Sequence, residues 1–435
     1  MSRLVFVFFM VVVILAAVAP QPAAAQGYLQ EVSVLLDGLP VHFDVQPVIK
    51  NGRTLVPFRA IGEALNVAVS WDGATRTVSA TGGGVSISLQ IGSVKAYRNN
   101  TPITLDVPPQ ILNGRTLVPL RFFSEAFGCT VLWDGAARTA KIASPPKKMT
   151  VIGFYALGGP QTSSWTNLFG KAYPEMGKGN TDLVSDLALG WYSLDREGNL
   201  LTESATGWRR PAGWEGVLDA AEEYGLKTEM VVHLTDADGA LSALLADGAA
   251  VSRAVGAIAG EAGLYGGVNL DFEGLGLSES SESLTEVRQR FTNFVSLLAG
   301  QLKNKGKTLT LSLHAPNSTY RGYDYEALGA VADRIVIMAY DYGARPEPVS
   351  LVIQAVEMAA AVPADKLVLG ISVPSETPES ILAKVGIAKR YNLNGIALWR
   401  LGLLSGEMWE ALRSTVAVGN KESAGVGKSN RRETS

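Results

Sequence analysis

Cysteine occurs once in this 435-residue chain, at Cys129, so no internal disulfide can form and packing alone must hold the fold. A lone cysteine here reads as a buried small apolar residue rather than a nucleophile. Histidine occurs three times, at His42, His233 and His314, and the wide spacing sets aside a His-rich or Cys/His metal site, though not an all-carboxylate one. An excess of positive charge is missing too. Lys plus Arg number 38 against 41 Asp plus Glu, a net charge of −3, without the basic surface that nucleic acid demands. Beyond the first 20 residues no apolar run is long enough to cross a bilayer. What is present is ordinary globular composition, 47% apolar and 18% charged, which excludes a disordered, collagenous or coiled-coil chain. At roughly 150 residues per domain the length suggests about two or three domains.

The first 25 residues stand apart: Arg3, the apolar run Leu4 to Pro20, then small residues ending Ala23-Ala24-Ala25. This is the layout of a signal peptide cleaved after Ala25. The competing reading is a membrane anchor, because Leu4 to Ala19 is only slightly shorter than the ~17 to 25 residues that span a bilayer. Cleavage makes the protein exported, either secreted or cell-wall associated, with no membrane attachment afterwards. At the other end, residues 419–435 are small, polar and charged, and read as a disordered tail.

An internal repeat dominates residues 28–143. Asn51-Gly-Arg-Thr-Leu-Val-Pro57 recurs 62 positions later as Asn113 to Pro119, Trp71-Asp72-Gly73 recurs as Trp133-Asp134-Gly135, and 17 of the 30 positions from 51 to 80 are identical to their counterparts. Such self-similarity means one supersecondary unit built twice. Each unit reads as a hairpin (turning at Asp37-Gly38 or Asn99-Asn100), a short helix such as Phe58 to Leu65, and a strand through Trp71 or Trp133. These motifs resemble the copper amine oxidase N-terminal-like domain. One histidine and one cysteine in the region argue against copper all the same. Arg53, Arg59, Arg115 and Arg121 have two readings: ties between helix and hairpin, or contacts to an acidic cell-wall polymer. Ser144-Pro-Pro-Lys-Lys148 then reads as a stiff joint with few contacts across it.

Between residues 149 and 416, eight β-branched apolar runs alternate with helical stretches. They are Val151 to Tyr155, Asp186 to Leu194, Lys227 to Leu234, Gly267 to Glu273, Thr308 to His314, Arg334 to Tyr340, Lys366 to Val373 and Gly395 to Trp399. The fold class is therefore α/β: a (β/α)8 TIM barrel preceded by a small α+β repeat domain. A doubly wound sheet is the alternative, but no Gly-rich phosphate turn follows the first strand.

Strands of a parallel barrel are covered on both faces and should be almost continuously apolar. The fourth strand is not. In Val268-Asn269-Leu270-Asp271-Phe272-Glu273, a period of two sends Asn269, Asp271 and Glu273 to one face. If Val268, Leu270 and Phe272 pack on helices such as Phe294 to Leu302, that polar row points into the barrel, where burying carboxyls is costly unless they share a proton. Glu273 falls at the carboxyl end, where barrel enzymes place their sites. Asp271 would raise the Glu273 pKa by repulsion, keeping an acid protonated for work on a glycosidic oxygen. The competing reading is an edge strand with a solvated face.

Gly267-Val-Asn-Leu-Asp-Phe-Glu273 resembles the signature strand of glycoside hydrolase family 18, in the branch of spore-cortex and cell-wall N-acetylglucosaminidases. Gly153-Phe-Tyr155, Trp191-Tyr-Ser-Leu194, Met338-Ala-Tyr-Asp341 and Trp399 extend the similarity across the barrel. The resemblance implies Glu273 as general acid and base, Asp271 orienting a substrate acetamido N–H, and Tyr340 hydrogen-bonding its carbonyl, with the acetamido oxygen as nucleophile. It further implies substrate contacts from Tyr155, Asn269, Met338, Asp341 and Trp399, and no cofactor or metal. The implied partner is a polysaccharide or peptidoglycan. Departures are Gly266 in place of an aspartate, Asn269 in place of the next, and, after the seventh strand, Val373-Pro-Ser-Glu-Thr-Pro378 where the family often has Tyr-Gly and a tryptophan. Only 21 residues separate Val373 from Gly395, leaving no room for an inserted subdomain. A noncatalytic, lectin-like barrel on the cell surface and a purely structural surface protein are the alternatives.

Overall fold

The computed structural model of the chain describes residues 32–156, 161–204, 207–277 and 280–418, with side chains 281 and 282 left out. The expected signal peptide and C-terminal tail lie outside these residues.

The repeat domain is β-rich and mostly antiparallel. Its units follow the expected order, with a helix at Phe58–Ala64 and its twin at Leu120–Ala126, each after an Arg-Thr-Leu-Val-Pro strand and before a Trp-Asp-Gly turn. The strands Arg53–Pro57 and Arg115–Pro119 pair antiparallel with Val56 opposite Val118, its own repeat equivalent. A local twofold axis thus relates the units. Cys129 lies in the shared apolar core, and burial pushes its thiol up to about 12, so it is inert filling.

The barrel consists of Thr150–Tyr155, Asp186–Leu194, Lys227–Thr235, Gly267–Glu273, Thr308–His314, Arg334–Met338, Leu367–Ser372 and Gly395–Trp399. The sixth strand stops two residues short of the expected Tyr340. All eight pair parallel with their neighbours, and the first pairs with both the second and the eighth, so the sheet closes. Outward residues of the fourth strand meet the helix Ser281–Asn304: the Phe272 ring lies 5.5 Å from Phe294 and 6.2 Å from Phe291. The amino-terminal end is plugged by a buried polar cluster. Arg334 binds Asp186 at 2.9 Å and also Glu229, which accepts from Thr310 and Asn269. No single helix among the described residues is long and apolar enough to cross a membrane.

The joint at Ser144–Lys148 makes more contacts than the few expected from its sequence. Lys147–Lys148 pairs with Val416–Ala417 as a short parallel ladder. Lys389, on the barrel helix Pro378–Arg390, donates to Ser144 Oγ (2.9 Å) and to the Pro145 carbonyl (3.2 Å), with Asp37 at 3.8 Å. Leu39 of the repeat domain is fully buried in the barrel's own apolar core. The helix Pro378–Arg390 supplies the donor for these contacts across the joint.

Candidate active site

The period-two row of the fourth strand does point inward. Asn269, Asp271 and Glu273 face the lumen, while Val268, Leu270 and Phe272 belong to the outer core. At the carboxyl end a cavity of about 570 Å3 opens, lined by Asp271, Glu273, Met338, Tyr340, Asp341 and Trp399 among others. Six of the eight residues singled out in the sequence therefore meet in one place.

Two do not. Asn269 is fully buried below the cavity, where its amide donates to Glu229 at 3.1 Å and accepts from Ser312 at 2.9 Å, so its hydrogen-bonding groups serve the barrel and not a substrate. Tyr155 faces the helices, edge-on to Trp191 at 6.4 Å. Its neighbour Phe154 lines the cavity instead, because alternation along the strand puts only one of the two inside.

Both barrel histidines converge on Glu273, although they are widely spaced in the sequence. His233 Nε2 lies 3.7 Å from Oε1 and His314 Nε2 lies 3.6 Å from Oε2. Each imidazole is stacked on an aromatic ring, His233 on Trp208 at 4.4 Å and His314 on Tyr320 at 4.0 Å. Trp208 also faces Trp399 at 5.8 Å, and Trp399 meets Phe154 edge-on at 5.2 Å, making one aromatic wall. Ligand-type atoms of His233, Asp271 and Glu273 lie within 4.8 Å of one another, close enough for a small cation to bridge and close enough to couple their protons.

Proton placement differs from the expectation. Asp271 is 3% exposed and its Oδ1 has no hydrogen-bond partner among the described residues; burial, then the Glu273 charge, push its pKa up to about 8. Burial pushes Glu273 up as well, but the His233 contact and the charges of His314 and His233 outweigh it and hold Glu273 below the ordinary carboxyl range. At rest the shared proton therefore sits on Asp271. Burial lowers both histidines; at His233 the attraction of Glu273 and Asp271 wins and its pKa rises, whereas at His314 burial prevails. Tyr340 is raised far above a normal phenol, first by burial and then by the charges of Asp271 and Glu273, so it stays a neutral donor.

The loop after the sixth strand is fixed by a residue that sequence reading missed. Asp341 takes a left-handed backbone (φ 65°), and the buried Glu347 carboxylate accepts from the N–H groups of Asp341 (3.0 Å) and Tyr342 (3.1 Å). Gly370 leaves space for Tyr340: a Cβ there would come within 3.2 Å of the ring and 2.8 Å of the Ile337 carbonyl.

Comparison with known proteins agrees with this layout. Of the curated relatives, a Bacillus subtilis protein named for a sporulation-specific glycosylase is 35% identical over 118 residues, 25% of this chain and 26% of that protein. A Brevibacillus choshinensis protein named as a protease inhibitor is 28% identical over 105 residues, 24% of this chain and 32% of its own length. The chain thus spans about a quarter to a third of the curated relatives it matches. Among solved structures, the Bacillus megaterium spore cortex-lytic enzyme SleL superposes with a TM-score of 0.52 at 16% identity, covering 72% of this chain and 80% of that one. A class V chitinase from Pseudomonas fluorescens gives 0.51 at 20%, covering 61% and 99%, and a Chromobacterium violaceum chitinase gives 0.50 at 20%, covering 61% and 98%. Residues 35–142 match the copper amine oxidase N-terminal domain family, and the chain joins that domain to a barrel with the fold of chitinases and spore cortex-lytic enzymes.

Proposed function

We propose that the barrel is a retaining glycoside hydrolase that cleaves β-1,4 bonds next to N-acetylglucosamine in peptidoglycan or a related glycan, with the substrate's acetamido group as nucleophile. The observation that carries this reading is the Asp271–Glu273 pair at the barrel mouth beside the neutral Tyr340 phenol. A substrate acetamido N–H that hydrogen-bonds Asp271 stabilises its carboxylate and so drives the shared proton to Glu273. Glu273 then protonates the glycosidic oxygen while the acetamido oxygen, held by Tyr340, attacks C1 and the C–O bond breaks. Water next opens the cyclic oxazolinium and returns a proton to Glu273. Trp399 offers a flat apolar floor for the reacting sugar, and Met338 and Asp341 border it.

Asp271 shares a strand with Glu273 and lies beside it, where it cannot flank the scissile bond as a carboxylate nucleophile must. Replacing N-acetylated oligosaccharide by its deacetylated form should therefore abolish cleavage, and a thiazoline mimic of the cyclised intermediate should inhibit. Equal turnover of both substrates without thiazoline inhibition would remove this mechanism. Digestion of peptidoglycan and chitin oligosaccharides, with products weighed by mass spectrometry, identifies the bond cut. Export follows from the Leu4 to Ala25 pattern, and the N-terminal residue of the mature protein tests it.

A further inference from the structure

The twofold axis of the repeat domain builds the same groove twice. In the first, of about 670 Å3, Arg59 and Trp71 of one unit face Ile111 and Arg115 of the other. In the second, of about 310 Å3, Arg121 and Trp133 face Ile49 and Arg53. The four residues named in each groove lie 62 positions from their counterparts, a match that follows from the pairing of Val56 with Val118, while the remaining walls differ.

The tryptophans are the informative residues. Of eight in the chain, Trp71 (39% exposed) and Trp133 (42%) are the two on the surface, and the other six are buried or half-buried. Each lies near the end of a strand, Ala68–Asp72 or Thr130–Asp134, just before a hydrogen-bonded turn. Asp72 accepts from Ala74 N–H and Thr75 Oγ, and Asp134 accepts from Ala137 N–H, while Gly73 and Gly135 leave their Cβ positions 3.6 and 3.7 Å from the indole nitrogens. The indole planes are therefore held in place without being covered, at the usual cost of leaving apolar surface in water.

Arginine flanks both platforms. Arg53 is tied to Asp106 by Nε at 2.6 Å, Arg115 to Asp44 by the equivalent contact, and Arg121 to Glu125 at 3.4 Å. All three side chains remain at least half exposed, and a guanidinium carries five N–H donors, so each keeps donors beyond those used in its tie. Exposed pairs of this kind add little stability. Among the described residues the second groove has Arg53, Arg121 and Arg138 and no carboxylate in its walls, whereas in the first Asp44 and Glu63 stand beside Arg59 and Arg115.

The geometry points to twin binding sites for a linear polysaccharide carrying carboxylates, with Trp71 and Trp133 stacking on sugar faces and the neighbouring arginines engaging the acid groups. A flat indole suits a pyranose ring, and the arginine fork matches a carboxylate. Two sites on one rigid domain let a repeating polymer bind both, which raises avidity without new contacts. The domain would then hold polymer independently of what the barrel does to it.

The test uses the full chain carrying Glu273→Gln, titrated calorimetrically with polygalacturonate and with its fully methyl-esterified, neutral form. Binding of the acidic polymer is expected, weakening as sodium chloride is raised, with at least ~10-fold lower affinity for the neutral form. The double variant Trp71→Ala/Trp133→Ala should lose at least ~10-fold in affinity, and each single variant less, at an unchanged melting temperature. Should the double variant melt early, Arg59→Ser/Arg121→Ser, at exposed helix positions, replaces it and is expected to show the same loss. No binding of polygalacturonate by the parent chain, equal binding of both polymers, or full binding by the folded variants would overturn the proposal. None of these outcomes bears on the glycosidase reading, which is measured by cleavage.

Discussion

Asp271 and Glu273 were legible as a pair in the sequence, but which of them holds the proton was not. That depends on His233 and His314, brought to Glu273 from two other strands, and on the lack of any partner for Asp271 Oδ1 among the described residues. The sign of the pH dependence follows. A carboxyl raised to about 8 keeps its proton up to that pH, so the pair holds one proton across the neutral range and loses it above. We expect kcat/KM to fall above about pH 8, as the general acid disappears. Asp271→Asn removes the group that keeps the pair's proton up to about pH 8, and Glu273 alone, held below the ordinary carboxyl range by His233 and His314, ionises at lower pH, so the alkaline limb should move down. His233→Gln removes the contact that holds Glu273 low, and the limb should move up. Shifts in the same direction for both variants would contradict this proton assignment. Glu273→Gln should cost at least ~100-fold in kcat with folding intact, measured by turnover and circular dichroism.

Among the elements, the fourth strand was read correctly because its alternation breaks an otherwise apolar pattern. The same period of two runs through its neighbours, as Glu229, Val231 and His233 in the third strand and Thr310, Ser312 and His314 in the fifth. Registers place His233 beside Asp271 and Ser312 on its other side. Reading the three strands together would have found the histidines and the buried partners of Asn269. Trp208 could not be found this way, since it comes from a loop, and only the close approach at Gly190 marks it. A Cβ at Gly190 would lie 2.7 Å from the Trp208 ring. Gly190→Ala should therefore push Trp208 off His233 and Trp399, raising KM about tenfold, or ~1.4 kcal/mol of binding, with a smaller change in kcat. Unchanged steady-state constants would show that this wall takes no part in holding substrate.

At the scale of the molecule, domain order and barrel class followed from the repeat period and the strand count, whereas the contact between domains did not. A joint of two prolines and two lysines carries no sign that a helix more than 200 residues away supplies its hydrogen-bond donor, Lys389. That lysine is 6% exposed, and burial, the largest influence, lowers its pKa despite the charge of Asp37. A chain starting at Lys148 deletes Asp37, Ser144 and Pro145 together, removes Leu39 from the barrel core, and opens the covered face of Pro378–Arg390. Lys389 itself then regains water, so the main loss is apolar: filling the site of Leu39 counts for about 2–5 kcal/mol by comparison with large-to-small core substitutions. We expect the truncated barrel to melt well below the full chain, and Leu39→Ala in the full chain to reproduce most of that drop, both followed by calorimetry. Activity per folded molecule should survive truncation, because no described residue of the repeat domain lines the 570 Å3 cavity. A truncated barrel as stable as the full chain would mean that the buried contact, for all its hydrogen bonds, contributes nothing net to folding.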